Sequence, residues 1–424
     1  VSTATRLRLF QAFGVELEYM IVDASTLDVL PIADELLRDG AGSTDYVDEV
    51  EADDVCWSNE LVAHVVELKT ATPASALQPL ADQFTAHVAR INQLLAPRGA
   101  RLMPSGMHPW MDPERETKLW AHDYNEVYEA FDRIFGCKGH GWSNLQSAHL
   151  NLPFGDDEEF GRLHAAIRLI LPILPALAAA SPIVEGAATG LLDTRLDVYR
   201  TNCGRIESIS GLVVPEAVFS AAEYERQIFA RIYADIAPHD AAGTLQHEWL
   251  NARGAIARFE RNAIEIRVLD TQECPAADLA VIGLATAALR ALVDETSASY
   301  NAQQKWSAER LSTILHRVIR EGERAVIDDP EYLGLFGIQQ ATLTAGELWQ
   351  RIYQANEPRL ELSAQSRSAL DVILNRGPLA RRVLHSLGAD RGTAAPESQR
   401  LDRDAIRAVY SRLCDCLNAG NVFV

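Results

Sequence analysis

An apolar run from Phe13 to Val22 is interrupted by two glutamates two residues apart, in Gly14-Val15-Glu16-Leu17-Glu18-Tyr19. Side chains of a strand alternate between its faces, so Glu16 and Glu18 point one way while Val15, Leu17, Tyr19 and Ile21 point the other, towards a core. The run therefore predicts a strand over residues 12–23, in a sheet with one packed and one wet face. Two like charges side by side repel. They are tolerable on a solvated face, and useful if they share a cation. On this segment alone both readings stand.

A chain of 424 residues can bury a large core, whether as two or three domains or as one elaborated catalytic domain. Its net charge of -20 argues against a general nucleic-acid or anionic-membrane surface, yet allows a nucleotide in a locally basic cleft. Cys56, Cys137, Cys203, Cys274, Cys414 and Cys416 show no paired spacing of a zinc or redox motif, so reduced, mostly buried thiols are expected. Val1 to Phe10 contain no apolar core of a signal peptide. Leu169 to Ala180, read as the longest apolar stretch, contains Pro172 and Pro175 and is too short to span a bilayer. The expectation is a cytoplasmic enzyme or binding protein with small-molecule partners, and neither nucleic acid nor membrane.

The pattern continues as mixed strand and helix. An acidic loop near 41–54 is followed by a strand over 61–70, a helix from Ala74 to Leu95 and a strand from Arg101 to Met107. The acidic loop lacks the ligand spacing of an EF-hand and reads as solvated. Ser147 to Leu152 predicts a strand with His149 and Asn151 on one face. A helix from Asp157 to Ala180, a Gly/Thr-rich stretch from Glu185 to Asn202 and a strand from Ala263 to Asp270 follow. Beyond Pro275 the pattern is almost wholly helical, with a Gly/Pro/Ser-containing linker near 388–398. The chemistry is expected before residue 275.

Three further elements could join the first. Glu67 lies in an apolar strand-like run, where a lone carboxylate is costly unless it meets a cation or donors. An arginine partner and a metal are both open readings. Its separation from Glu60 is odd, so Glu60 must precede the regular strand or lie across a bulge if both serve one site. The second element is the basic cluster Arg253, Arg258, Arg261 and Arg267, with Glu265 and Arg267 on one face of the 263–270 strand. An acid among guanidiniums suits a cation bridged to phosphate oxygens, and equally a structural ion pair. The third is His149, a possible imidazole ligand or a satisfied core residue. Carboxylates with one histidine suit Mg²⁺ or Mn²⁺ carrying a nucleotide phosphate. There is no Walker A sequence and no GxGxxG, so ATP would be held by metals and arginines.

The ordered series FGVELEYMIVD, NELVAHVVELKT, SGMHP, SAHLNLPF, TRLDVYRTN and RNAIEIRVLDTQECP resembles the glutamate-cysteine ligase type 2 family of carboxylate-amine ligases, related in fold to glutamine synthetase. The resemblance covers roughly residues 10–290. It implies an α+β fold: a curved, mainly antiparallel sheet forming a funnel, backed by helices, with a helical C-terminal region. The catalytic domain would be 1–290, and 291–424 would pack on it or continue it. It further implies metal ligands at Glu16, Glu18, Glu60, Glu67, His149 and Glu265, and arginines near the transferred phosphate at Arg258, Arg261 and Arg267. Arg195 and Arg200 would meet the substrate carboxylate. The implied activity is ATP-dependent and Mg²⁺- or Mn²⁺-dependent amide formation through an acyl phosphate, joining glutamate to cysteine or another amino compound. A homo-oligomer is a further expectation, by analogy. The alternatives are a metal-dependent phosphotransferase of the guanidino-kinase type and a non-catalytic nucleotide- or amino-acid-binding relative.

Overall fold

The computed structural model of the chain describes residues 6–123, 125–390 and 398–424, so most of the expected 388–398 linker lies outside the described residues. The alternating run forms β1 (Gly14–Asp23), as its period requires. Around it assemble β2 (Glu49–Ala52), β3 (Val55–Asn59), β4 (Val65–Thr70), β5 (Ala100–Met103), β6 (Ser147–Pro153), β7 (Ala255–Arg258) and β8 (Ala263–Asp270). Their order is β2-β3-β4-β1-β6-β8-β7, and every pairing is antiparallel. β5 pairs with the far end of β1, from Met20 to Asp23. The result is the expected mainly antiparallel sheet backed by helices.

Val15, Leu17, Tyr19 and Ile21 are fully buried on the packed face. They share one core with Phe84, Val88, Ile91 and Leu95 of α1 (Leu80–Leu95) and with side chains on both sides of residue 290. The centre of this core is filled by α4 (Pro275–Val293), which is longer than the 169–180 stretch. Its length and composition would suffice to cross a membrane, but almost all its side chains are buried inside the protein. All six cysteines are free, and five are buried.

Prolines explain most departures from the expected boundaries. α1 begins at Leu80 rather than Ala74, because Pro79 disfavours helical backbone in the residue before it. α2 (Asp157–Ile170) ends early for a related reason: Pro172 and Pro175 lack the N–H that would continue it, and the chain proceeds as a 3₁₀ turn and a short helix ending at Ala178. Pro104 stops β5 at Met103, short of the expected Met107. The Gly/Thr-rich stretch ends in an unexpected helix, α3 (Thr194–Asn202), capped by the Asp193 carboxylate accepting from the Leu196 N–H. The acidic loop is also partly ordered, because β2 and β3 run through and beyond it and place Glu49 on the sheet.

α2 carries a buried histidine outside the sheet. His164 donates from Nδ1 to the Val218 carbonyl at 2.8 Å and stacks on Phe160. Burial first, and Arg168 next, push its pKa from 6.5 down to about 3. The folded state therefore stays neutral where the unfolded chain is protonated, and this stability contribution is lost as pH falls below about 6.5. The stability margin of the wild type over His164→Gln should shrink by about 1.4 kcal/mol per pH unit from about pH 6 to pH 4, read from urea melts. A constant margin would mean that the native ring is already charged.

Candidate functional site

The wet face of the sheet is the floor of a cleft of about 760 Å³. Register decides which side chains meet there. Glu16 of β1 lies between Lys69 of β4 and His149 of β6, and Glu18 stands directly opposite Glu67. Glu265 of β8 pairs with Asn151 of β6. Carboxylates thus occupy the central strands, and guanidiniums the β8–β7 edge, where Arg267 and Arg258 lie. Glu60 precedes β4 in the irregular link from β3, which resolves the odd spacing from Glu67.

Polar contacts tie the side chains of this face together in groups. His149 Nδ1 lies 2.8 Å from Glu16 Oε2, and its Nε2 is 2.9 Å from Ser147 Oγ. Asn151 donates to Glu16 at 3.0 Å, and Ser147 donates its backbone N–H to Glu18 at 2.6 Å. Ser58 donates to Glu67 at 3.0 Å. Glu265 accepts from Arg258 Nη1 at 3.1 Å and from Arg267 Nε at 3.0 Å, so the ion-pair reading of Glu265 and Arg267 is realised. Among the described residues Glu67 has no arginine partner: Lys69 Nζ lies 3.7 Å away and is closer to Glu49, at 2.6 Å.

The charges are unevenly balanced. Glu67 is pushed well above the carboxylate range by burial, and then by Glu16 and Glu60. Burial, and then Glu18, raise Glu60 to about 8. Burial opposes ionisation of Glu265 too, but Arg267, His149 and Arg258 outweigh it and hold the group near 2. His149 is biased towards its charged form: burial disfavours the imidazolium, while the Glu16 hydrogen bond and the charges of Glu18, Glu16 and Glu265 prevail.

This donor set fits a divalent cation. Ligand atoms of Glu16, His149 and Glu265 lie within 4.8 Å of one another, as do those of Glu18, Glu67 and His149. Buried oxygens carrying surplus negative charge, with a single imidazole, suit a hard ion such as Mg²⁺ or Mn²⁺.

All six expected ligands line the cleft, together with Arg195, Arg258, Arg261 and Arg267. Arg200 does not: it pairs with Asp197 at 2.9 Å on α3. Arg253 also departs from the basic cluster, because it is buried in a two-pronged pair with Glu216. Sequence reasoning missed Lys69, Tyr199 and Glu49 as cleft residues. Lys69 shares the parity of Glu67 and was legible in principle. Glu49 depends on the β2–β3 hairpin, and Tyr199 on α3.

The sequence profile of Glutamate-cysteine ligase family 2 matches residues 12–410. An uncharacterized protein of Archaeoglobus fulgidus is 35% identical over 345 residues, which cover 80% of this chain and 91% of that protein. Among solved structures, the glutamate-cysteine ligase of Francisella tularensis in complex with AMP matches with a TM-score of 0.58 at 11% identity, over 98% of this chain and 90% of that one. The bifunctional glutathione synthetase of Pasteurella multocida matches with a TM-score of 0.56 at 14% identity, over 96% of this chain and 52% of that one. At such identities these two structures speak for the fold alone. The profile, in contrast, spans nearly the whole chain and encloses the acids, histidine and arginines of the cleft floor: this chain belongs to glutamate-cysteine ligase family 2.

Proposed function

We propose that this protein is an ATP-dependent ligase that activates the γ-carboxyl of glutamate, or of a similar acid, as an acyl phosphate and transfers it to the amine of cysteine or another amino compound. The observation that carries this reading is the convergence of six carboxylates, one imidazole and four guanidiniums in one cleft. Glu16, Glu18, Glu60, Glu67, His149 and Glu265 would hold Mg²⁺ or Mn²⁺, which when bound neutralises phosphate charge and polarises the transferred group. Arg258, Arg261 and Arg267 meet the phosphate oxygens with planar donors that stay charged as negative charge shifts in transfer. Glu265 orients the first and last of these. Arg195 takes a substrate carboxylate at the floor. The acyl phosphate loses phosphate when the amine attacks, so the site must keep water away from the intermediate. No covalent enzyme nucleophile is needed.

The residues lining the cleft run from Leu7 to Arg267, which supports residues 1–290 as the catalytic unit with 291–424 packed against it. ADP release measured with Mg²⁺, ATP and glutamate across a panel of amines tests the reading. Release dependent on both acid and amine, with the amide found by mass spectrometry, is expected. ADP with a phosphorylated product and no amide would instead mark a phosphotransferase. Tight ATP binding without turnover on any substrate would mark a binding protein.

A further inference from the structure

Along β8 the residues facing the core are Ile264, Ile266 and Val268, so strict alternation would send Asp270 into the core as well. It does not go there. The register with β6 slips by one residue between Ile266 and Leu269, and Asp270 comes to lie opposite Ser147, on the face that carries His149 and Asn151. Bulges of this kind re-aim a side chain next to a functional site.

Asp270 is 1% exposed and every contact it makes is specific. One carboxylate oxygen accepts from Arg195 Nε at 2.5 Å. The other accepts from the Ala180 N–H and the Ser181 hydroxyl, each at 2.7 Å. The same hydroxyl accepts from the Arg195 backbone N–H at 3.0 Å. Gly106 closes the last side: a Cβ there would stand 2.4 Å from the Asp270 carboxyl carbon. Asp193 lies nearby, and burial and then the adjacent Asp270 push its carboxyl well above the ordinary carboxylate range.

Arg195 is itself 1% exposed and lines the cleft. Nε is engaged by Asp270 and Nη2 by the Arg267 carbonyl at 3.2 Å, while among the described residues no acceptor takes Nη1. Arg258 and Arg267 share Glu265, a member of the acid cluster, so their partner changes with whatever that cluster holds. Arg195 is tied to an acid outside the cluster.

We propose that Asp270 is a positioning residue for acid recognition: carried to the cleft face by the β8 bulge, it fixes Arg195 with Nη1 turned to the substrate's carboxylate. This rests on the ligase reading above. Asp270 touches neither substrate nor nucleotide, so its loss should act on the acid alone.

Steady-state kinetics of Asp270→Asn and Gly106→Ala test this. The asparagine keeps the volume but sets an NH₂ group against either Arg195 Nε or the Ala180 and Ser181 donors. The alanine displaces Asp270 without altering any charge. In both, KM for the acid should rise about 10- to 100-fold, while KM for ATP stays within about twofold. Adding Asp270→Asn to Arg195→Met should raise the acid KM no further than Arg195→Met alone. Equal change in both KM values, or loss of kcat alone, would overturn the proposal and leave Asp270 a structural residue. If the wild type turns over no acid, the ligase reading fails by itself. The positioning claim is then decided by a crystal structure of Asp270→Asn: a rotated Arg195 guanidinium supports it, and an unmoved one overturns it.

Discussion

Glu67→Gln should reduce acid-dependent ADP release by at least about 100-fold without lowering the melting temperature of the metal-free protein, whereas Glu265→Gln should lose both activity and stability. The two acids sit in one cleft but in opposite electrostatic settings. Glu67 is buried opposite Glu18, with Glu16 and Glu60 close by and Lys69 offsetting them in part. Without a cation its charge is a burden, so a neutral amide removes repulsion while keeping the Ser58 contact. Glu265 is held ionised by Arg267 and Arg258 with His149 near, and its loss leaves these cations facing one another. That should cost roughly 1–3 kcal/mol. Coupled ADP assays, Mn²⁺ titration and thermal melts in chelator separate the effects. Unchanged turnover in both variants would remove the basis of the metal-site reading.

The largest loss of stability is expected at residues that do not line the cleft. Arg382→Met should destabilise the fold by about 3–5 kcal/mol, a large share of the 5–15 kcal/mol typical of a domain. Arg382 lies in the helix Leu379–Ser386 and Glu273 just before α4, and both are buried. Nη1 donates to Glu273 Oε1 at 2.5 Å and Nη2 to Oε2 at 3.2 Å. Nη1 also donates to the Phe423 carbonyl, while the Phe423 N–H donates back to Glu273 at 3.2 Å. Removing the guanidinium strands a buried carboxylate and frees the C-terminal segment. Adding Glu273→Gln should recover much of the loss, because the cost is the unpaired charge rather than the missing pair. Urea denaturation of the two single variants and the double variant measures this. A loss under about 1 kcal/mol in Arg382→Met would show that water reaches Glu273.

Legibility in the sequence followed the range of the physics. Period-two alternation depends only on backbone geometry, and it placed Glu16 with Glu18, and His149 with Asn151, on one face of their own strands; the pairing of β1 with β6 then puts the two pairs together. It failed where the backbone departs from that period. Glu60 left two possibilities, and Asp270 would have been assigned to the core because a one-residue bulge leaves no mark in the sequence. The two prolines after α2 and the one before α1 were on view, yet periodicity alone overran them. Arg200 and Arg195 share one helix and could not be told apart. Only packing puts one on the cleft floor and the other against Asp197.

Local covalent geometry and hydrophobic patterning thus determined from the sequence that strands would carry acids on one face and bury the other, and the ordered motifs pointed to the ligase family and, with it, to a mainly antiparallel sheet. The tertiary structure alone decided which charges meet. Strand order and register bring together residues about 250 positions apart, such as Glu16 and Glu265. The sign and size of every pKa shift then depend on those distances and on burial, which no stretch of sequence contains.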